Sequence, residues 1–110
     1  MDKRKRRRLE AAGWKIGNAE EFLGLSDEEA AIISLKLAFA DAIKAERARN
    51  RISQERLARM LGSSQSRVAK MEAADASVSI DLMIRSLLRM GASRKALAAC
   101  VAAPLRRHAA

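Results

Sequence analysis

Apolar residues recur at helical spacing along most of this chain, and serine and glycine mark the breaks between them. From residue 27 to about residue 49 the pattern predicts one long helix. Ile32, Leu35, Phe39 and Ala42 form one stripe on it, and Ile33, Leu37 and Ala40 a neighbouring one. Ser26 with Glu29 three residues later reads as a capping box, and Asp27, Glu28 and Glu29 suit the positive end of the helix dipole. At roughly 1.5 Å per residue this helix is about 34 Å long. So small a bundle cannot cover all of it. Its first half is expected to pack under the N-terminal segment, to meet another chain, or both.

Four shorter helices follow. Ser53 caps QERLARML (54–61), with Leu57, Ala58 and Leu61 inward, and Gly62 stops it. Ser64 reopens a helix almost at once, QSRVAKMEA, with Val68 and Met71 inward. Two short helices joined by a tight glycine-containing turn are the helix-turn-helix pattern. After a linker, Ser79 caps IDLMIRSLLRM, which buries Ile80, Met83, Ile84 and Leu87 and ends at Gly91. Ser93 caps RKALAACVAA, with Leu97, Cys100 and Val101 on one face and Pro104 at its limit.

Upstream, Asn18 and Glu21 suggest a short capped helix over 19–23 that Gly24 stops. Trp14, Phe22 and Leu23 form a small hydrophobic clasp on the main bundle, packing being the expectation for Trp14 rather than a ligand contact. KRKRRR (3–8) is too charged to pack. It reads as a solvated arm or as one that tracks phosphates.

Composition narrows the class. At 110 residues and 49% hydrophobic content the chain can build one modest core, and with 3% aromatics that core is aliphatic. Proline occurs once, so the fold is expected to be all-α. Cys100 is the lone cysteine and His108 the lone histidine. A disulfide, a zinc site and histidine-based catalysis are therefore not expected, nor any cofactor. Cys100 reads as inert packing. No apolar run nears membrane-spanning length, and no apolar segment follows the basic N-terminus as in a signal peptide. These features point to a cytoplasmic protein.

The charge is segregated. The chain carries a net +9, which favours polyanionic partners, nucleic acid first. Residues 1–15 hold seven cations against two anions, and residues 42–72 eight against three. Between them, residues 16–41 hold one cation against six anions. An acidic block flanked by basic ones suggests different partners for each.

SQERLARMLGSSQSRVAKME, followed by VSIDLMIRSLLRMGASRKAL, carries a resemblance. Residues 38–101 resemble the Cro/cI-like (XRE) helix-turn-helix family of phage and bacterial repressors, in continuous register through five helices. The resemblance implies an all-α, five-helix, lambda-repressor-like domain over 26–103. A basic arm and short helical lead-in would occupy 1–25, and a tail 104–110. GWKIGNAEEFLGLSDEEAAIISLKLAFADAIKAER ahead of it resembles the small HigA-type antitoxins, in which an XRE protein represses its own operon and neutralises a RelE-like ribonuclease toxin.

The family's roles carry over by position. Gln65 and Ser66, first outward on the reading helix, are implied base contacts, and glutamine suits adenine N6/N7. Arg67 and Lys70 reach outward beside them, toward base or phosphate. Gln54 is implied to touch phosphate and brace Gln65. Ser64 would leave the positive helix end near a phosphate. Arg49, Arg51 and Arg56 supply further phosphate contacts. Glu72 is implied to be a structural brace. AADAS (73–77) departs from the family, with alanine where relatives carry glycine and proline. Either the loop is less rigid or the reading helix runs on a residue or two.

The expected function is a sequence-specific, double-stranded-DNA-binding regulator, a repressor acting as a homodimer on a pseudo-palindromic operator at the nucleoid. The alternative is an antitoxin whose acidic block meets a basic RelE-like toxin; first-turn acids serving helix caps explain that block equally well. Nothing resembles a catalytic constellation, so no enzyme is expected.

Overall fold

Five serines open the helices of the structure, a computed structural model that describes residues 26–104. The lead-in helix, the clasp around Trp14, the basic arm and His108 lie outside the described residues. The helices are α1 (Asp27–Arg49), α2 (Gln54–Leu61), α3 (Gln65–Glu72), α4 (Ile80–Arg89) and α5 (Arg94–Ala102). The fold is all-α, as the periodicity predicts. Ser26, Ser53, Ser64, Ser79 and Ser93 each accept the N–H three residues on, at 3.0–3.1 Å. Each bond satisfies a donor that the helix itself leaves open.

The first four helices also end alike. The N–H of Ile52, Ser63, Asp75 and Ala92 reaches back five residues, to Arg47, Ala58, Lys70 and Leu87, at 2.8–2.9 Å. A second bond closes inside each, from Arg51 to Ala48, Gly62 to Arg59, Ala74 to Met71 and Gly91 to Leu88. This double closure forces the residue between into the left-handed region. Gly62 (φ 64°) and Gly91 (φ 94°) meet that demand without strain. Arg51 and Ala74, both at φ 55°, meet it against their preference. The helix expected to read does not run on: α3 stops at Glu72, and Ala74 itself turns the chain.

The core lies between α1 and the other helices. Leu37, Phe39, Ala40 and Ile43 of α1 pack with Leu57, Val68, Met71, Val78, Met83 and Leu87, all at most 2% exposed. The stripe expected through Ile32, Leu35, Phe39 and Ala42 is mostly a flank. Ile32 is exposed, Leu35 and Ala42 are half-buried, and Phe39 alone is inside. The face that is buried runs instead through Ile33, Leu37, Ala40 and Ile43. Ser86 is also fully buried, and its hydroxyl donates to Leu82 O at 2.9 Å and lies 3.2 Å from Met71 Sδ. Leu61, Ile80, Ile84, Leu97 and Cys100 close the rim as half-buried contacts rather than core.

Candidate nucleic-acid interface

α3 divides cleanly by burial. Val68, Met71 and Glu72 point inward, while Gln65, Ser66, Arg67, Ala69 and Lys70 are exposed. α2 packs against it across the Gly62 turn, and α1 packs behind it. A short helix is thus presented on a rigid base with its polar edge outward. Ser64 holds the helix start through Arg67 N at 3.1 Å.

The inward carboxylate organises the site. Glu72 is 8% exposed and takes two parallel bonds from Arg47, Nε to Oε2 at 2.7 Å and Nη2 to Oε1 at 3.0 Å. Arg47 Nη1 also donates to Ile52 O at 3.1 Å, which ties in the turn between α1 and α2. The hydrogen bonds to Glu72 push the Arg47 guanidinium pKa above its ordinary value, so it stays charged. Gln54 Nε2 donates to Glu72 Oε1 at 3.1 Å. Gln65 Nε2 then donates to Gln54 Oε1, a longer bond at 3.4 Å. A continuous string therefore runs Arg47–Glu72–Gln54–Gln65, from the end of α1 to the first residue of α3.

Of the residues expected to act on DNA, the structure brings Gln54 and Gln65 into contact. Ser66, Arg67 and Lys70 share the open face with Gln65. Arg49, Arg51 and Arg56 are exposed around the α1–α2 turn and the start of α2. Arg49 is already paired with Glu46, whose carboxylate also accepts from Asn50. That pairing weakens Arg49 as a phosphate contact relative to Arg51 and Arg56.

Three positioning residues escaped the sequence reading. Arg47 is one. Lys36 is another: it is 6% exposed, and its ammonium donates to Asp75 O at 3.5 Å and Ala76 O at 3.3 Å. Burial lowers its pKa and the nearby Asp75 charge opposes that shift. It holds the turn that leaves α3. The third is Arg89, whose Nη1 donates to Met60 O at 2.7 Å and caps the end of α2. Lys36 and Arg47 fall at i and i+11 on the face that buries Ala40 and Ile43. A cation on a core-facing stripe was the available signal.

A family model described as helix-turn-helix matches residues 43–85. Over that span the chain is similar to helix-turn-helix domains. The matched span runs from the end of α1 through α2, α3 and most of α4, and holds the whole string from Arg47 to Gln65. The match supports an XRE-type, DNA-binding transcription regulator, a class that is typically not enzymatic. No curated protein and no solved structure matches the chain. Among the described residues, no cluster of His, Cys, Asp or Glu could hold a metal. No described helix is long and apolar enough to cross a membrane.

Proposed function

We propose that this protein is a sequence-specific repressor that binds its operator as a homodimer, with α3 in the major groove. The observation that carries this reading is the string that fixes Gln65. Gln54 spends its N–H on Glu72 and turns its oxygen to Gln65. One Nε2–H of Gln65 is thereby engaged, and on this exposed side chain the second N–H and Oε1 would serve a base. That is the donor–acceptor pair that meets N7 and N6 of adenine. Ser66, Arg67 and Lys70 would complete base readout. Gln54, Ser64, Arg49, Arg51 and Arg56 would contact phosphates and supply the salt-dependent part of affinity. The functional unit is residues 26–103, acting in the cytoplasm at the nucleoid, with control of its own operon as the expected arrangement.

The HigA-type reading adds a RelE-like toxin as partner. Its support is the exposed acidic first turn of α1, Asp27 to Glu29. Helix-dipole stabilisation accounts for the same three acids without a partner, so DNA reading stays first.

The test is fluorescence anisotropy with DNA from upstream of the gene, beside scrambled DNA, at near-physiological salt. A preference of roughly a thousandfold supports specific recognition and self-control. Equal, steeply salt-dependent binding to both would sink self-control: either the operator lies elsewhere, or the charge is non-specific and a partner protein is the target.

A further inference from the structure

Asp75 stands just past the end of α3, and both its backbone and its side chain are held. Its N–H donates to Lys70 O at 2.9 Å, and its own carbonyl accepts from Lys36 Nζ at 3.5 Å. Its Oδ1 accepts from Ser77 Oγ at 2.6 Å and from Ser77 N at 2.9 Å. Those two bonds favour the charged carboxylate, and the Lys70 and Lys36 charges act in the same sense. At neutral pH this half-exposed turn therefore carries a negative charge in a fixed place beside Lys70.

That charge is at odds with its surroundings. Arg67 and Lys70 are exposed on α3, and Arg51 and Arg56 add exposed cations around the start of α2. α3 has eight residues and is about 12 Å long, and the major groove is about 12 Å wide. A helix of that length laid in the groove brings the turn at its end close to one sugar–phosphate wall. The distance falls within the Debye length, about 8 Å at physiological salt. A carboxylate there repels phosphate whatever the base sequence, and it competes with phosphate for the Lys70 ammonium. The turn itself does not need the charge, because asparagine would accept the same two bonds from Ser77.

We propose that Asp75 is a specificity-determining residue that keeps Lys70 off the DNA backbone and so weakens binding made through phosphates alone. On scrambled DNA the repulsion acts with no base contact to offset it. On the operator, base contacts from α3 fix the pose and set Lys70 at a base edge, so the carboxylate costs less. Discrimination is a difference between two affinities, and a repulsive group raises it without adding a contact. The inference rests on the DNA-reading proposal and names a further residue of that same site.

The test is competition anisotropy with the full chain on two duplexes, one that wild type selects from a random pool and a scrambled one, beside circular dichroism melts. Asp75→Asn removes the charge and keeps an acceptor for Ser77. It should tighten binding to scrambled DNA by roughly two- to fivefold, with a steeper salt dependence, and change binding to the selected duplex by less than about twofold. Adding Lys70→Ala should abolish the gain on scrambled DNA. Ser77→Ala frees the carboxylate but keeps its charge. It should give a smaller gain of the same sign, and it carries the test if Asp75→Asn does not fold. Weaker binding to both duplexes would overturn the proposal, because damage to the turn harms all binding. Equal gains on both would overturn it as a general charge effect. Unchanged binding with a lower melting temperature would also overturn it and leave Asp75 as a counter-charge for Lys36. In each of these cases a wild type that still prefers its selected duplex keeps DNA reading intact. A pool from which wild type selects no sequence would remove that reading, and this inference with it.

Discussion

Arg47 and Glu72 meet through two parallel hydrogen bonds, at 2.7 and 3.0 Å, although 25 residues separate them. One end of the pair is the last turn of α1 and the other is the last residue of α3. The contact therefore fixes how α3 sits on α1. It also consumes both oxygens of a buried carboxylate, one of which Gln54 shares. Removing Glu72 would leave Arg47 and Gln54 with unmatched donors.

Glu72→Ala is accordingly expected to destabilise the fold by about 3 kcal/mol, the lower end for breaking a buried pair. The lower end applies because the Arg47 side chain keeps 24% of its exposure. Arg47→Met combined with Glu72→Met should cost less than the two single changes added together, since no charge is then left alone. Urea unfolding of the four proteins measures this. Strict additivity would show that the pair is not coupled.

How much of this was legible differs by element. The five serine caps and the Gly62 and Gly91 stops are local chemistry, so the sequence shows them directly. Arg51 and Ala74 are different. Their left-handed backbone is imposed by the hydrogen bonds that close each helix end, with Ile52 buried behind the first, and not by any preference of arginine or alanine. The Gln54–Gln65 contact was legible only through family resemblance, because no spacing rule links residues 11 apart across a turn. Lys36 and Arg47 show in the sequence only as cations on a core-facing stripe, and a cation in a helix normally signals a solvated face. Which partner each one reaches on another element is set by the packing.

The two strained turns should respond differently to glycine. A left-handed L-residue costs about 1–2 kcal/mol, and glycine returns about 0.4–1 kcal/mol of that as unfolded-chain entropy. Arg51 is exposed, so Arg51→Gly should stabilise the fold by about 0.5–1 kcal/mol. Ala74 is 1% exposed, and losing its methyl forfeits about 0.8 kcal/mol of burial. Ala74→Gly should therefore be nearly neutral. Thermal unfolding of both variants decides it; equal gains would mean that the Ala74 methyl contributes nothing. If Arg51 also contacts phosphate, the stabilised variant should bind DNA more weakly, with its salt slope reduced by about 1.

Asp75 gives a pH signature. Its Oδ1 accepts from Ser77 Oγ at 2.6 Å and Ser77 N at 2.9 Å, which hold the carboxyl below the usual range; the Lys70 and Lys36 charges add to this. A depressed folded pKa means stability that is present above the unfolded value and lost as pH falls through the folded one. The advantage of wild type over Asp75→Ala should thus be full above about pH 5 and shrink as the pH drops below about 3.9. Melting curves across that range test it. Two parallel profiles would show that the Ser77 bonds do not favour the charged form.

Gln65 and Arg56 should separate reading from holding. Gln65 opens the exposed edge of α3 with its amide oriented by Gln54, so Gln65→Ala should weaken the cognate site by about 1–3 kcal/mol and leave scrambled DNA nearly unaffected. Arg56 is an exposed cation with its charge on the same flank, and Arg56→Ala should weaken both DNAs alike, with a shallower salt dependence. Gln54→Ala should fall between them, because it removes both an expected phosphate contact and the group that aims Gln65. Competition anisotropy on paired cognate and scrambled duplexes reads all three. A Gln65→Ala loss of equal size on both duplexes would strip Gln65 of its reading role and leave it as one more polar residue on a basic surface.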